Sequence, residues 1–238
     1  MYRGLKITPP FFEVGPKAYL FGEEVLKLAK FADQISEKYD VQIIFTPQYV
    51  DIPLLAKETE NILVFAQHMD SLPIGRGVGS VLPEAIKAAG AVGVLLNHSE
   101  KGLSLDEIKR TIERADEIGL ATMVCADTLE NVAAIAQMEP NIVLAETPEL
   151  IGVGKREAAD MLAISKINEI VWEINPQILV LHGAGISCGQ DVYNIVASGA
   201  QGTGSTSGII KAKDPHNMLE EMISCVREAW NKIHDREE

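Results

Sequence analysis

The feature that most constrains the fold is an eightfold alternation between short apolar runs and longer amphipathic segments. Runs such as VQIIF and VGVLL are continuously apolar, which is typical of parallel strands covered on both faces. The eighth run, QGTGST, is rich in Gly and Thr and is assigned only by its place in the alternation. The predicted β-strands are 10–14, 41–46, 62–66, 92–96, 121–125, 141–145, 178–182 and 201–206.

Helical periodicity fills the intervals between these strands. Apolar residues recur at three- and four-residue spacing in 23–38, 105–119 and 217–233, and Gly90 and Gly119 stand where helix C-caps are expected. Eight strands alternating with helices through short connections favour a closed (β/α)8 TIM barrel, one α/β domain over 1–238. An open, doubly wound sheet of eight strands is the alternative.

Composition and charge exclude several classes of function. No apolar run is long enough to span a membrane, and the N-terminus has no secretory signal, so we expect a cytoplasmic protein without a membrane partner. The three cysteines are widely spaced and follow no ligand pattern, which indicates neither a disulfide framework nor a metal site. A net charge of −13 without clustered Lys and Arg argues against nucleic acid as a partner.

Polar residues follow several of the predicted strands, where a barrel carries its reactive groups. Lys17 lies just past the first strand, His98 follows the fourth and Glu146 follows the sixth. Small residues follow the last two strands, at 183–185 and 206–208. Each residue alone has an ordinary structural explanation, such as a helix cap or a solvated cation. Their position on one rim favours a functional site.

The segment 146–155, ETPELIGVGK, has the pattern of a hinged lid. Pro148 stiffens its beginning, and Gly152 and Gly154 allow backbone amides to approach an anion. A loop leading into a helix is the alternative. The small residues at 183–185 and 207–208 expose backbone N–H groups where barrels commonly bind phosphate, unless they serve only core packing.

The motifs LLNHSEK, AETPELIGVGK, HGAGIS and STSGIIKAKDP, together with FAQHMD and VGVLL, resemble the triosephosphate isomerase family. The similarity extends over nearly the whole chain and is greatest to the short archaeal-type branch. It implies that Lys17 binds substrate, that His98 is the electrophile and that Glu146 is the catalytic base. It also implies that the phosphate site is lined by Ile151, Gly152, Gly185, Thr206 and Ser207.

The resemblance also implies the chemistry and the assembly. We expect an aldose–ketose isomerase that acts on a small phosphorylated sugar through an enediol, without a metal or another cofactor. The family completes its sites with loops near the third strand of a neighbouring subunit, which here correspond to 68–84. A homo-oligomer, either a dimer or a tetramer, is therefore expected.

Two departures from the family pattern bear on the substrate. The Asn-x-Lys of the family reads Gly15-Pro16-Lys17, so an amide that contacts the reacting oxygens is missing, and the Glu-Pro that opens the lid reads Glu146-Thr147. If the substrate is the triose phosphate, another donor or a water must fill the gap at Gly15. The alternatives are a paralogue acting on a longer sugar phosphate, such as a tetrulose phosphate, or a barrel that binds sugar phosphate without turnover.

Overall fold

Each of the eight apolar runs forms a strand in the computed structural model, which describes residues 1–146 and 158–234, the first five residues of the second range by backbone alone. Every predicted strand boundary agrees with the observed boundary to within one residue. The strands are β1 Phe11–Val14, β2 Gln42–Phe45, β3 Leu63–Ala66, β4 Gly93–Leu96, β5 Ala121–Ala126, β6 Ile142–Ala145, β7 Leu179–His182 and β8 Gly202–Ser205.

Helices follow the strands along the chain. Those described are α1 Gly22–Tyr39, α2 Ile52–Glu58, α3 Pro83–Ala88, α4 Leu105–Ile118, α5 Leu129–Ala136, α6 Ala158–Ile174, α7 Gly189–Ala197, α8 Ser207–Ile210 and α9 Pro215–His234. The turn Tyr49–Asp51 before α2 is a 3₁₀ helix. Over the described ranges, no helix has the length and apolar character needed to cross a bilayer.

Local signals set the ends of α4. The Ser104 hydroxyl accepts a hydrogen bond from the Glu107 N–H, and the Glu107 carboxylate accepts one from the Ser104 N–H, so two N-terminal donors are satisfied. Gly119 ends the helix at φ 78°, as predicted. Gly90, also predicted as a cap, lies one residue after the C-cap of α3 at φ 104°.

The eight strands close into a parallel barrel. Each strand pairs with the next along the chain, and β8 pairs with β1, which places Phe11 opposite Gly202 and Glu13 opposite Gly204. The closed order confirms the predicted (β/α)8 barrel and excludes the open sheet. The carboxyl ends of all eight strands therefore lie at one end of the barrel, which we call the mouth.

Two hydrophobic layers hold the barrel together. One lies between the strands and the helices and includes Phe12 and Val14, which alternate along β1 with the inward residues. The other fills the lumen with fully buried or nearly buried side chains. The largest of these are Phe11, Ile44, Phe65, Leu95, Met123, Ile142, Leu144 and Leu181.

Glycines of β4 and β8 lie opposite phenylalanines of the neighbouring strands, which explains why β8 is poor in large apolar residues. A Cβ on Gly202 would collide with the Phe11 ring, and a Cβ on Gly93 would collide with the Phe65 ring. The missing side chains therefore make room for two phenyl rings inside a lumen of limited width. The weak β signal of QGTGST reflects this packing requirement.

Candidate active site

Glu146 and His98 face each other across the mouth of the barrel. Glu146 directly follows β6, and His98 lies two residues after the end of β4. Nε2 of His98 is 3.9 Å from Oε2 of Glu146, and the two side chains are only 13% and 16% exposed. A carboxylate and an imidazole at this separation leave room for small reacting groups beside both of them.

The surroundings of His98 define its charge and tautomer. Its Nδ1 accepts a hydrogen bond of 3.1 Å from the Glu100 N–H, so the proton of the neutral ring resides on Nε2. Burial lowers the pKa of His98, and the positive charge of Lys17 lowers it further. The imidazole is therefore neutral at pH 7 and directs an N–H donor into the mouth.

Asn97 fixes the loop that carries His98. Its backbone adopts a left-handed conformation at φ 57°, which asparagine tolerates better than most residues. Its side-chain amide donates to the Cys125 carbonyl at 2.9 Å, and its Oδ1 accepts from the Leu103 N–H at 2.9 Å. These bonds tie the loop to β5 and to the start of α4.

Lys17 is held at the mouth by both its side chain and its backbone. Its Nζ donates to Oε1 of Glu100 at 2.8 Å, and this hydrogen bond lowers the pKa of Glu100. The Lys17 backbone adopts φ 49°, and its carbonyl accepts from the side-chain amides of Gln48 and Gln67 at 2.9 and 3.1 Å. The Gln67 amide also donates to the Thr46 carbonyl, so the ends of β2 and β3 hold Lys17 in place.

Glu13 forms the floor of the site. Its Oε1 accepts a hydrogen bond of 2.7 Å from the Thr46 hydroxyl. Burial raises the pKa of Glu13 to about 7; Glu146 adds to the rise, whereas Thr46 and Lys17 oppose it. The neighbouring Cys125 is buried, and burial with two nearby carboxylates raises the pKa of its thiol, which argues against a nucleophilic role.

These residues line two adjoining depressions. The first, of ≈ 290 Å³, includes Glu13, Gly15, Lys17, His98 and Glu146 in its wall. The second, of ≈ 180 Å³, adds the backbone-rich segments that follow β7 and β8. Glu13, Lys17, Glu146 and Thr206 line both, so the depressions are halves of one site.

The second half is suited to an anion. Ala184 and Gly185 adopt φ 64° and 68°, a backbone geometry that forms concave arrays of N–H groups. Thr206, Ser207 and Lys211 complete this wall, and α8 begins at Ser207. Lys211 brings positive charge to a protein of net charge −13. Within 1–146 and 158–234, no three His, Cys, Asp or Glu residues are grouped so that they could hold a metal ion.

The chain is similar to known proteins over most of its length. The family model described as triosephosphate isomerase matches residues 17–225. The triosephosphate isomerase of Methanobacterium bryantii is 44% identical over 88% of this chain and 94% of its own length. That of Methanothermus fervidus is 43% identical over 85% and 91%, and that of Sulfolobus acidocaldarius is 38% identical over 95% and 99%. The chain belongs to the triosephosphate isomerase family.

Membership of the triosephosphate isomerase family confirms the resemblance read from the motifs and makes the chain an aldose–ketose isomerase. The structure brings Glu146, His98, Lys17 and Gly15 together in the first half of the site. It places Gly185, Thr206 and Ser207 in the second half. Two further predicted residues, Ile151 and Gly152, and the rest of the lid from Thr147 onward lie outside the described residues. The roles of all these residues stay predictions.

The space beside Gly15 bears on both sequence-based expectations. A Cβ on Gly15 would lie 2.6 Å from Oε1 of Glu13, so the carboxyl of a residue on β1 fills this space. A polar group of the protein therefore occupies the gap, which agrees with the expectation for a triose phosphate substrate, and the space is not left open for a longer sugar. The sequence analysis missed Glu13, although its position two residues after Phe11 indicates that it points into the lumen.

Four other residues of the site were also missed: Thr46, Gln48, Gln67 and Lys211. Thr46 and Gln48 follow β2, which carries none of the family motifs. Gln67 lies in FAQHMD and Lys211 in STSGIIKAKDP, so these motifs held a signal for both residues. His68 and His182 also lie near strand ends, and both are buried. His68 pairs with Asp70 and His182 with Asn168, at 3.2 and 2.9 Å.

Proposed function

We propose that the chain interconverts dihydroxyacetone phosphate and D-glyceraldehyde 3-phosphate through an enediol, with Glu146 as the base. The observation that carries this proposal is the pairing of Glu146 with a neutral His98 beside Lys17. The relatives from Methanobacterium bryantii and Methanothermus fervidus are both named triosephosphate isomerase, which supports the three-carbon substrate.

Each side chain supplies one part of the reaction. The Glu146 carboxylate removes a proton from the carbon next to the carbonyl and returns it to the neighbouring carbon. The Nε2–H of His98 donates to the two oxygens in turn, and its neutral state is the one known for this family. Lys17 supplies positive charge to the developing enediolate and to the phosphate.

The phosphate is assigned to the second half of the site. Gly185, Thr206 and Ser207 would bind it, and Lys211 adds a cation that the sequence analysis did not consider. By resemblance, Ile151 and Gly152 of the lid complete the phosphate site. A lid that grips the phosphate would keep water out and would suppress its elimination from the enediolate.

The tetrulose phosphate alternative loses its physical basis. That hypothesis required open space beside Gly15 for an additional hydroxymethyl group. Oε1 of Glu13 lies 2.6 Å from the point where a Gly15 Cβ would stand, so the Glu13 carboxyl occupies that space and would have to move to admit the group. A barrel without turnover is disfavoured because Glu146, His98 and Lys17 are all present around one pocket.

Steady-state kinetics over a panel of three- to five-carbon sugar phosphates tests the proposal. We expect the highest kcat/KM for the triose phosphates. A higher kcat/KM for a four-carbon substrate would overturn the assignment of the substrate while leaving the chemistry intact. Absence of turnover with every sugar phosphate would overturn the chemistry.

The setting of the enzyme belongs to the same proposal: one domain over 1–238, located in the cytoplasm and working as a homo-oligomer. The segment 68–84 exposes Ile74 and Val78 to solvent, and exposed apolar side chains favour contact with another subunit. Sedimentation should give a dimer or a tetramer. A species of 25.9 kDa at micromolar concentration would contradict the oligomer.

A further inference from the structure

Glu13 places a carboxyl group in the first half of the site. None of the family motifs contains this residue. It lies on β1 with its side chain in the lumen, and it lines both halves of the site. Its side chain is partly accessible from the mouth, and Thr46 donates to one of its oxygens. Lys17 and Glu146 are close enough to alter its ionisation. A carboxyl group in this position would contact a ligand bound between Lys17 and Glu146.

Two glycines lie against Glu13. A Cβ on Gly15 would lie 2.6 Å from Oε1 of Glu13, whereas a Cβ on Gly204 would lie 2.7 Å from the backbone carbonyl oxygen of Glu13 and 2.8 Å from its Cβ. Gly204 is therefore required by the backbone of β1, and a side chain at 15 is incompatible with the Glu13 carboxyl in its present place. The family amide at position 15 and the carboxyl of Glu13 therefore compete for one space.

The chemistry of Glu13 suits the function of the missing amide. A protonated carboxyl is close to a carboxamide in size and also donates a hydrogen bond. Burial and Glu146 favour the protonated form of Glu13, while Thr46 and Lys17 favour the ionised form, and its pKa is raised to about 7. The other titratable group beside it, Cys125, remains a thiol. A neutral donor can bind an enediolate oxygen that a carboxylate would repel.

We propose that Glu13 is a substrate-contacting residue, whose carboxyl replaces the amide missing at position 15 and hydrogen-bonds the reacting oxygens beside Lys17. The inference rests on the proposed function, because it assigns a contact to the three-carbon substrate. It also explains how a member of the triosephosphate isomerase family tolerates glycine at this position.

A set of variants tests the competition for space. With dihydroxyacetone phosphate as the substrate, Glu13→Ala should lower kcat/KM about 10- to 100-fold, the effect of one lost hydrogen bond to a charged group. Glu13→Gln keeps a donor and should stay within about threefold of wild type. Gly15→Asn alone should lower kcat/KM because its side chain meets Glu13. Gly15→Asn added to Glu13→Ala should instead raise kcat/KM above that of Glu13→Ala.

This reversal of sign tests the competition for space, and the difference between Glu13→Ala and Glu13→Gln tests the substrate contact. A Glu13 that only fills space would leave the kcat/KM of Glu13→Ala close to that of wild type. Glu60→Gln is the matched control, since Glu60 is exposed in the loop before β3, at the end of the barrel opposite the mouth, and it should leave kcat/KM unchanged. The φ of Gly15 is not in the left-handed region, so asparagine is conformationally acceptable there.

A pH profile gives a second readout that does not depend on the Ala variants folding. As the Glu13 carboxyl ionises, wild-type kcat/KM should fall above about pH 7, and this fall should be absent in Glu13→Gln. Identical profiles, or Glu13→Ala within twofold of wild type, would overturn the role of Glu13 while the isomerase assignment stands. A wild-type enzyme without activity on the triose phosphate would overturn both.

Discussion

The two inward positions of β1 show how one strand serves both folding and catalysis. Phe11 and Glu13 point into the same lumen, two residues apart, and each faces a glycine of β8, Gly202 or Gly204. Phe11 is fully buried among apolar side chains, whereas Glu13 reaches the mouth beside Lys17 and Glu146. The lumen therefore consists of a lower layer that stabilises the barrel and an upper layer that carries charge. Substitutions in the two layers should affect different quantities.

The largest expected effect concerns Glu146, in the upper layer. Glu146→Gln should lower kcat by about 10³-fold or more, because it removes the base and changes little else. The far-ultraviolet circular dichroism spectrum should match that of wild type. A variant that retains more than about a tenth of wild-type kcat would show that Glu146 is not the base.

In the lower layer, Phe11→Ala should lower stability and leave kcat nearly unchanged, the opposite of the result expected for Glu146→Gln. Removing a fully buried phenyl ring should reduce the free energy of unfolding by about 3–5 kcal/mol. Where the variant remains folded, its kcat should stay close to that of wild type, because Phe11 does not line the site. Denaturant unfolding and kinetics on the same sample measure both quantities. A large loss of kcat with unchanged stability would contradict the separation of the layers.

Glu13 should make the upper layer sensitive to pH. Its pKa is raised from 4.5 to about 7 by burial, so the folded protein binds a proton that the unfolded chain releases in this range. The stability of wild type should therefore fall as the pH rises from 4.5 to 7, by up to about 3 kcal/mol relative to Glu13→Gln. Parallel urea titrations of the two proteins across this range measure the difference. Curves that stay parallel would show that folding does not raise the pKa of Glu13.

The smallest effects are expected from the glycines of β8. Gly202→Ala places a methyl group against the Phe11 ring and should cost about 1–3 kcal/mol of stability. Gly204→Ala meets the backbone carbonyl and the Cβ of Glu13 instead, so it should lower kcat/KM as well as stability, whereas Gly202→Ala should leave kcat/KM close to that of wild type. The two methyl groups are chemically identical, so each variant is the control for the other. Equal effects on stability and kcat/KM in both variants would contradict the division of the lumen.

Sequence patterns predicted much of this arrangement. The alternation of apolar runs and helical segments placed all eight strands, and closure of the barrel brings the residues after the strands to one mouth. Lys17, His98 and Glu146 could be selected in this way because each follows a strand, and His98 and Glu146 also lie in motifs of the family. Neither inference required knowledge of long-range contacts.

The role of Glu13 and the hydrogen bonds from two glutamines to Lys17 could not be predicted, because they depend on contacts between residues far apart in the sequence. Glu13 stands inside FFEV, a strand that reads as buried on both faces, and its role follows from the space left by Gly15 and Gly204. Gln48 and Gln67 act on the Lys17 carbonyl through the particular paths of two loops. Hydrogen bonds of this kind follow from the folded backbone and not from residue spacing.

The most direct test of the central claim is the fate of the transferred proton. Isomerisation of dihydroxyacetone phosphate in deuterium oxide should introduce deuterium at carbon in the recovered triose phosphates, because a carboxylate base exchanges its proton with solvent during the enediol stage. Wild type should incorporate the label and Glu146→Gln should not. Undiminished labelling by Glu146→Gln would contradict proton transfer through Glu146.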